Sequence, residues 1–361
     1  MKPFTDIHTK TFVTAESIIA GIGQFHGLEY DPMLLQCPAR YAARLAQAFT
    51  ATNASVEIEV DSATQEPDLS TANGMYHFTD GVGTISGNLA QDIAQTLQAS
   101  KRKRKTGKAR PKAFQIRFQG SKGMVSVDYR LQGRSICLRP SMIKFQDAAS
   151  TTLEIARAFD QPTPYYLNRP LIMILDGLGV PFEAFQKYQR RAIHEVNHAS
   201  TSLGRTAELL QSHGLGAAYR LPSTLLNLEK LYVESMGSNH FYRQILEHAI
   251  NHILREIKYH ARIPIPKAHT LVGVADVHQF LAPNEIFAYI KPRDSAAFCL
   301  EGRVLISRSP VIHPGDVQVV HAIGQPPPGS CFAREPIPNT VVFSVLGRCF
   351  HSCGWLCLIG H

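Results

Sequence analysis

The side chains of this chain best suited to chemistry are two lysines: Lys122 in Gly120-Ser121-Lys122-Gly123, and Lys144 in Pro140-Ser141-Met142-Ile143-Lys144-Phe145. Ammonium groups at a turn and at a strand exit can point into a shared cleft and hold a polyanion such as a triphosphate. The same spacing fits two solvated lysines on separate rims, and spacing alone leaves both readings open. Arg308 heads a second string, Arg308-Ser309-Pro310-Val311-Ile312-His313-Pro314-Gly315-Asp316. A guanidinium at a strand end can grip a ribose or phosphate through its rigid fork of donors. His313 and Asp316 equally fit a turn held by its own hydrogen bonds. Lys101, Arg102, Lys103, Arg104 and Lys105 open a ten-residue run, 101–110, with seven basic side chains and no acid. Such a run suits an RNA backbone or nuclear-localisation patch, and equally a solvated insertion between strands. His248 and His252 have the i, i+4 spacing of zinc ligands, but Ala249 stands where a metalloprotease helix needs Glu. Surface histidines on a helix are therefore expected.

The elements around these residues follow from hydrophobic period. Phe114, Ile116 and Phe118 alternate with Gln115, Arg117 and Gln119, the pattern of a half-buried strand. A glycine-bracketed tight turn over 120–123, a second strand from Met124 to Tyr129 and a third from Ser135 to Arg139 are predicted to bring the two lysines within reach of each other. Phe78 to Ser86 reads as a strand and glycine turn. A helix with Leu89, Ile93 and Leu97 on one face follows, capped by Ser86 or Asn88. Further expectations are a short helix over Pro38–Thr50, a plain turn at Gly21-Ile22-Gly23, a loop over Ser62–Thr71 and a short helix over Leu153–Phe159. Tyr165 to Pro181 reads as a buried central strand, with Leu171 to Leu175 apolar on both faces. Asn168 and Arg169 there are either polar groups at a cleft or, as preferred, the turn leading into the strand.

From Phe182 to Arg262 the period becomes helical, with Leu225, Leu228 and Leu231, then Leu246, Ile250, Ile253, Leu254 and Ile257, forming apolar stripes. Ser223 after Pro222 marks a start. Strands return at Leu271–Asp276, Glu285–Ile290, Arg303–Ser307 and Asn339–Val345, with a loop at Pro326–Gly329.

Several of these strings resemble one family. Gln115-Ile116-Arg117-Phe118-Gln119-Gly120-Ser121-Lys122-Gly123 and Arg139-Pro140-Ser141-Met142-Ile143-Lys144-Phe145 are similar to the first catalytic barrel of cellular RNA-directed RNA polymerases. Those enzymes make double-stranded RNA for gene silencing in fungi, plants and nematodes. The string Phe78 to Ser86, the stretch Pro38 to Thr50 and the segment Tyr165 to Pro181 resemble the same family, and the Arg308 string resembles the R-x-P-x-x-H of the related multisubunit polymerases, where the arginine lies beside the incoming nucleotide. The resemblance runs from about Pro38 to Val345, and a fungal source is expected. It implies an α+β fold of two double-psi β-barrels, the second incomplete, joined by a helical connector. The implied domains are a partial N-terminal segment (1–74), a first barrel (75–181), the connector (182–262), a second barrel (263–345) and an aberrant tail (346–361). It also implies that Lys122 and Lys144 face the nucleotide, that Arg308 lies beside it, and that RNA template and nucleoside triphosphates are the partners, with the silencing machinery a possible further one.

The family holds catalytic Mg2+ in a D-x-D-G-D loop just after the strand matching Val341 to Val345, since magnesium takes hard carboxylate oxygens and two ions serve in-line phosphoryl transfer. No D-x-D occurs anywhere from Met1 to His361. The residues after Val345 instead carry three of the seven cysteines and the sole tryptophan, with no acid. Zinc on Cys349, Cys353, Cys357 and His351 lacks the paired spacing of structural sites. An out-of-frame or intron-derived end is preferred, making the chain a truncated, catalytically inactive polymerase fragment. The alternatives are a basic RNA-binding protein without chemistry and, third, a metal-dependent hydrolase using His248 and His252.

Composition agrees with this ranking. A chain of 361 residues with 44% hydrophobic and 18% charged content can form two or three cored domains. A net charge of +8 favours an anionic partner, nucleic acid first. An odd set of scattered cysteines and no secretory leader point to a reducing intracellular compartment, nuclear or cytoplasmic. No run approaches the ~18 apolar residues of a membrane span, so a soluble protein is expected.

Overall fold

A computed structural model describes residues 54–100, 110–144, 151–216, 219–231, 239–292 and 296–347, with the short strands Phe4–Thr5, Phe12–Val13 and Trp355–Ile359 and scattered residues between 14 and 43. The basic residues Lys101 to Lys105, most of Pro38–Thr50, Gly21 to Gly23 and the tail residues Cys349, His351 and Cys353 lie outside the described residues. The chain divides into two compact units. One comprises residues 1–161, 272–299 and 325–353, the other 162–271, 300–324 and 354–361.

The first unit is built on β1 (Ala54–Glu57), β2 (Ala63–Gln65), β3 (Val82–Ile85), α1 (Gly87–Ser100), β4 (Ala113–Phe118), β5 (Ser121–Val127), β6 (Ile136–Leu138) and β7 (Thr152–Ala158). The strands form one seven-stranded sheet in the order β1-β7-β4-β5-β3-β6-β2. Two of its pairings, β3 with β5 and β2 with β6, are parallel. The alternation along β4 buries Phe114, Ile116 and Phe118, which pack with Val125, Ile136, Leu153 and Ile155. Leu89, Ile93 and Leu97 of α1 join that core, and the Ser86 hydroxyl caps the helix by accepting the Leu89 N–H at 3.2 Å.

Three expectations change here. The turn between β4 and β5 is only Gln119-Gly120, both at positive φ (46° and 71°), so Ser121, Lys122 and Gly123 already belong to the strand. That is the geometry of a two-residue hairpin turn. Leu153–Phe159 is not a helix: Leu153 and Ile155 alternate with Glu154 and Ala156, and the strand pairs with β1 and β4. The sheet also reaches back to Ala54, so β1 and β2 come from residues expected to precede the barrel, and β2 falls within the expected loop.

The second unit begins with β8 (Thr163–Tyr166), then α2 (Arg169–Gly177), α3 (Phe182–Asn197), α4 (Leu203–Ser212), α5 (Leu221–Lys230) and α6 (His240–His260). The buried strand expected in Tyr165–Pro181 is mostly helix. Asn168 caps α2 by accepting the Leu171 N–H at 3.0 Å, Pro170 sits in the first turn, and Leu171 and Leu175 bury at i, i+4 while Met173 is exposed. The expected helical region is helical, and its core joins Leu171, Leu175, Leu225, Leu246, Ile253 and Ile257. Leu231, expected on the apolar stripe, is 71% exposed. The helix start expected at Ser223 is Leu221.

The remaining strands are β9 (Pro264–Ala275), β10 (Glu285–Ile290), β11 (Phe298–Cys299), β12 (Glu301–Arg308), β13 (Val317–Ile323), β14 (Thr340–Phe343) and β15 (Trp355–Ile359), with a short α7 (Cys331–Arg334) before β14. In the first unit, residues 272–275 of β9 run parallel to β14, which is antiparallel to β10, and β11 edges β10. In the second, residues 264–270 of β9 pair with β8, while β12 lies between β13 and β15. The result is a mixed α+β protein in which the β strands dominate the first unit and helices the second. No helix among the described residues is long and apolar enough to cross a membrane.

Candidate functional site

Cross-strand register places three charged side chains on one row of the first unit's sheet. Arg117 on β4 stands directly opposite Lys122 on β5 and, on its other side, opposite Glu154 on β7. Directly paired residues share a face of the sheet. Two cations side by side repel, so the row carries concentrated positive charge with one carboxylate at its far end. Burial lowers the Arg117 pKa from the usual arginine value, and the Glu154 charge acts the other way. Its Nε is buried without a hydrogen-bond partner.

Lys144 arrives on the segment that follows β6. A 3-10 turn over Pro140–Met142 buries Met142, and Ile143 then bridges Ser121. The Lys144 N–H donates to the Gly120 carbonyl at 3.0 Å, which sets Lys144 across from the residue two before Lys122. Alternate residues of a strand share a face, so the backbone brings both lysine positions to one end of the hairpin. The Lys144 Nζ donates to the Ser141 carbonyl at 2.6 Å. Close packing beneath explains the glycines: a Cβ on Gly123 would stand 2.3 Å from the Gly81 carbonyl oxygen, and one on Gly83 would stand 2.2 Å from that of Cys137.

Arg308 belongs to the second unit, at the end of β12. Its Nε lies 3.8 Å from Asp316 Oδ1, and the side chain is 25% exposed. The other Asp316 oxygen accepts the Ile312 and His313 N–H groups at 2.9 Å each, and His313 Nδ1 accepts the Gly315 N–H. His313 and Asp316 therefore hold the turn through its own hydrogen bonds. His248 and His252 are both exposed on α6, and no group of three or more metal-ligating residues occurs among the described residues. Asn168 is a helix cap, and Arg169 donates to the Tyr259 carbonyl, so both are placed by local structure.

Two features stand apart from the motifs. Arg117 could have been found by counting outward from the two-residue turn, since 118 pairs with 121 and therefore 117 with 122. A knot of Asp128, Tyr129, Arg130, His278 and Arg334 had no such local signal. Tyr129 stacks on His278 with centroids 5.1 Å apart, Arg334 lies 5.9 Å over the same tyrosine, and Arg130 Nη2 donates to Asp128 at 2.7 Å. Burial pushes the Asp128 pKa up, but the Arg130 hydrogen bonds and charge outweigh it and leave the carboxyl below its ordinary value. Burial lowers the pKa of His278. These residues tie two strand groups of the first unit together.

Comparison with known proteins gives a consistent result. The profile of the family described as RNA dependent RNA polymerase matches residues 1–353. The chain is 31% identical over 291 residues to the probable RNA-dependent RNA polymerase 1 of Oryza sativa subsp. japonica, covering 80% of this chain and 37% of that protein. It is 30% identical over 323 residues to RNA-dependent RNA polymerase 1 of Arabidopsis thaliana, covering 87% and 27%. With RNA-dependent RNA polymerase 1 of Schizosaccharomyces pombe the identity is 27% over 335 residues, covering 86% and 26%. The fold matches the RNA dependent RNA polymerase QDE-1 from Thielavia terrestris with a TM-score of 0.70 at 16% identity, covering 99% of this chain and 41% of that one. The chain thus spans only part of the length of each protein it resembles.

Proposed function

The chain belongs to the cellular RNA-dependent RNA polymerase family, and from that premise we propose that it carries the cationic half of a nucleotide site. Lys122 and Lys144 of the first unit hold the phosphates of an incoming nucleoside triphosphate; taken by itself, Arg308 of the second unit is proposed as a ribose- or phosphate-binding group. The reaction served is template-directed synthesis of RNA, yielding double-stranded RNA for gene silencing. The observation that carries this reading is the docking of the Lys144 backbone on Gly120 beside a strand where Lys122 faces Arg117. Like charges set opposite each other on a sheet cost stability, and a bound polyanion offsets that cost.

In this reading the two strand groups are double-psi β-barrels and residues 182–262 their connector. The parallel pairings of β3 with β5 and of β2 with β6 support the crossed connections such a barrel needs. RNA is the second partner, with Lys101, Arg102, Lys103, Arg104 and Lys105 adding affinity for its backbone.

Magnesium, the ion expected for this family, does not fit the residues present. Its hard carboxylate ligands form no group of three among the described residues. Of the carboxylates near the lysines, Glu154 faces Arg117 and Asp68 accepts three hydrogen bonds from neutral donors. With no D-x-D in the sequence, these 361 residues bind nucleotide without polymerising it.

Equilibrium dialysis with ATP in EDTA tests the site. Lys122→Ala, Lys144→Ala and Arg308→Ala are each expected to weaken binding on the order of tenfold, the value of one charge-assisted contact. Unchanged affinity in all three overturns the reading. Filter binding of RNA across salt separates the alternative of a non-catalytic RNA-binding protein: if neutralising Lys101 to Lys105 abolishes RNA affinity while ATP does not bind at all, that alternative holds. Sustained RNA synthesis by the purified chain refutes the lack of activity.

A further inference from the structure

Asp68 is the carboxylate most fully engaged by the lysine segment. Its Oδ2 accepts the Ser141 N–H at 2.9 Å. Its Oδ1 accepts the Ser141 hydroxyl at 2.7 Å and the Thr79 hydroxyl at 2.8 Å. Both hydroxyls also accept: Ser141 Oγ accepts the Gly81 N–H at 2.9 Å, and Thr79 Oγ1 accepts the Leu69 N–H at 2.9 Å. Thr79 is fully buried. The carboxylate therefore grips Ser141 by backbone and side chain together, and the Ser141 carbonyl in turn takes the Lys144 ammonium.

We propose that Asp68 is a positioning residue for Lys144. Hydrogen bonds to an ionised acceptor are shorter and about twice as strong as neutral ones, so Ser141 is held firmly at both ends. Lys144 has its backbone fixed on Gly120 and its Nζ on the Ser141 carbonyl. Lys144 is thus tied by its backbone at Gly120 and by its ammonium at Ser141, and only the Ser141 end depends on Asp68. A flexible lysine stem loses rotamer freedom when it is ordered. Fixing it before a phosphate arrives removes part of that loss from binding. This inference deepens the nucleotide reading above and rests on it for the purpose of Lys144, though not for its placement.

The test reads placement and purpose separately, on the full chain. Placement is measured by competitive acylation of lysines followed by peptide mass spectrometry, taking the ratio of Lys144 to Lys122 labelling. Asp68→Asn sets an amide against the Ser141 donors and is expected to raise that ratio about threefold or more. Ser141→Ala keeps the backbone bond and loses the hydroxyl bonds, so a smaller rise is expected. ATP affinity in EDTA should fall in the same order. An unchanged ratio in both variants overturns the assignment, including the case where both lysines label faster together as the fold loosens. If the ratio rises but Lys144→Ala leaves ATP binding unaltered, Asp68 still positions Lys144 and the nucleotide role of that lysine falls instead.

Discussion

Removing the carboxylate at the end of the charged row should strengthen anion binding while weakening the fold. Glu154 is two strands from Lys122, with Arg117 between them. Strands lie about 4.8 Å apart, so a phosphate held by Lys122 stands roughly 10 Å from the Glu154 carboxylate. At an effective dielectric of about 40, intermediate between protein surface and water, that repulsion is about 0.8 kcal/mol per unit of phosphate charge. A triphosphate carries about three such charges, and a Debye length of about 8 Å at physiological salt cuts the sum by roughly a factor of three. Glu154→Gln should then tighten ATP binding about fourfold at ~0.15 M salt and on the order of tenfold near ~0.02 M. The free protein should lose stability, because Arg117 is half-buried and Glu154 supplies the charge that opposes its desolvation. A loss of about 1 kcal/mol is expected for a partly buried pair. Dialysis at two salt concentrations and urea unfolding of the same preparations measure both quantities. Binding equal to or weaker than wild type at low salt refutes a phosphate at Lys122, because a merely structural ion pair moves stability and binding the same way.

Four further outcomes are expected. Gly123→Ala places a methyl 2.3 Å from the Gly81 carbonyl oxygen, so strand β5 must shift from β3, costing about 1–3 kcal/mol or more in urea unfolding and loosening Lys122. Leu171→Ala, at a fully buried position of the second unit, should cost about 2–5 kcal/mol, and Asn168→Ala about 1 kcal/mol through loss of the α2 cap, both read from denaturation midpoints. Burial, with the Arg262 charge next, holds the His213 pKa down from 6.5 to about 4. A histidine depressed in the fold contributes stability that is complete above its unfolded pKa and is lost as pH falls from about 6.5 towards 4. The second unit should therefore lose about 2 kcal/mol across that window, after discounting for solvent contact. His213→Gln should flatten the pH dependence of the urea midpoint, and an unchanged slope counts against the buried neutral imidazole.

What could be read from the sequence divides by the range of the interaction responsible. Phe114, Ile116 and Phe118 alternate because a single strand buries one face, and that information is local; so is the i, i+4, i+8 series Leu89, Ile93 and Leu97, with Ser86 as its cap. Leu153–Phe159 was misread because its helix-favouring Leu, Glu, Ala and Arg outweighed the Leu153/Ile155 alternation, and strand pairing on both sides decides the outcome. In Tyr165–Pro181 the opposite error arose from an apolar run too short to show its period. The Asn168-Arg169-Pro170 start signal was present there, and it outranks composition. The parallel partners of β3 and β2 lie dozens of residues away, and Asp68 meets Ser141 across 73 residues. No local period encodes such a contact.

The same division bears on the site. Lys122, Arg117 and Glu154 share one row because β5, β4 and β7 are neighbours in a single sheet, and Lys144 joins them through a short segment hung from Gly120. Hydrophobic burial beneath that sheet, from Phe114, Ile116, Val125 and Ile155, fixes the row without help from any ligand. The charged row is therefore built within the first unit. Two acids beside these elements are engaged by protein groups: Glu154 is paired opposite Arg117, and Asp68 accepts from Ser141 and Thr79. In the proposed reading, holding a nucleotide and loading a metal are separate properties. A chain with only the first should show ATP affinity that rises as salt falls and is indifferent to added magnesium beyond its effect on the nucleotide itself.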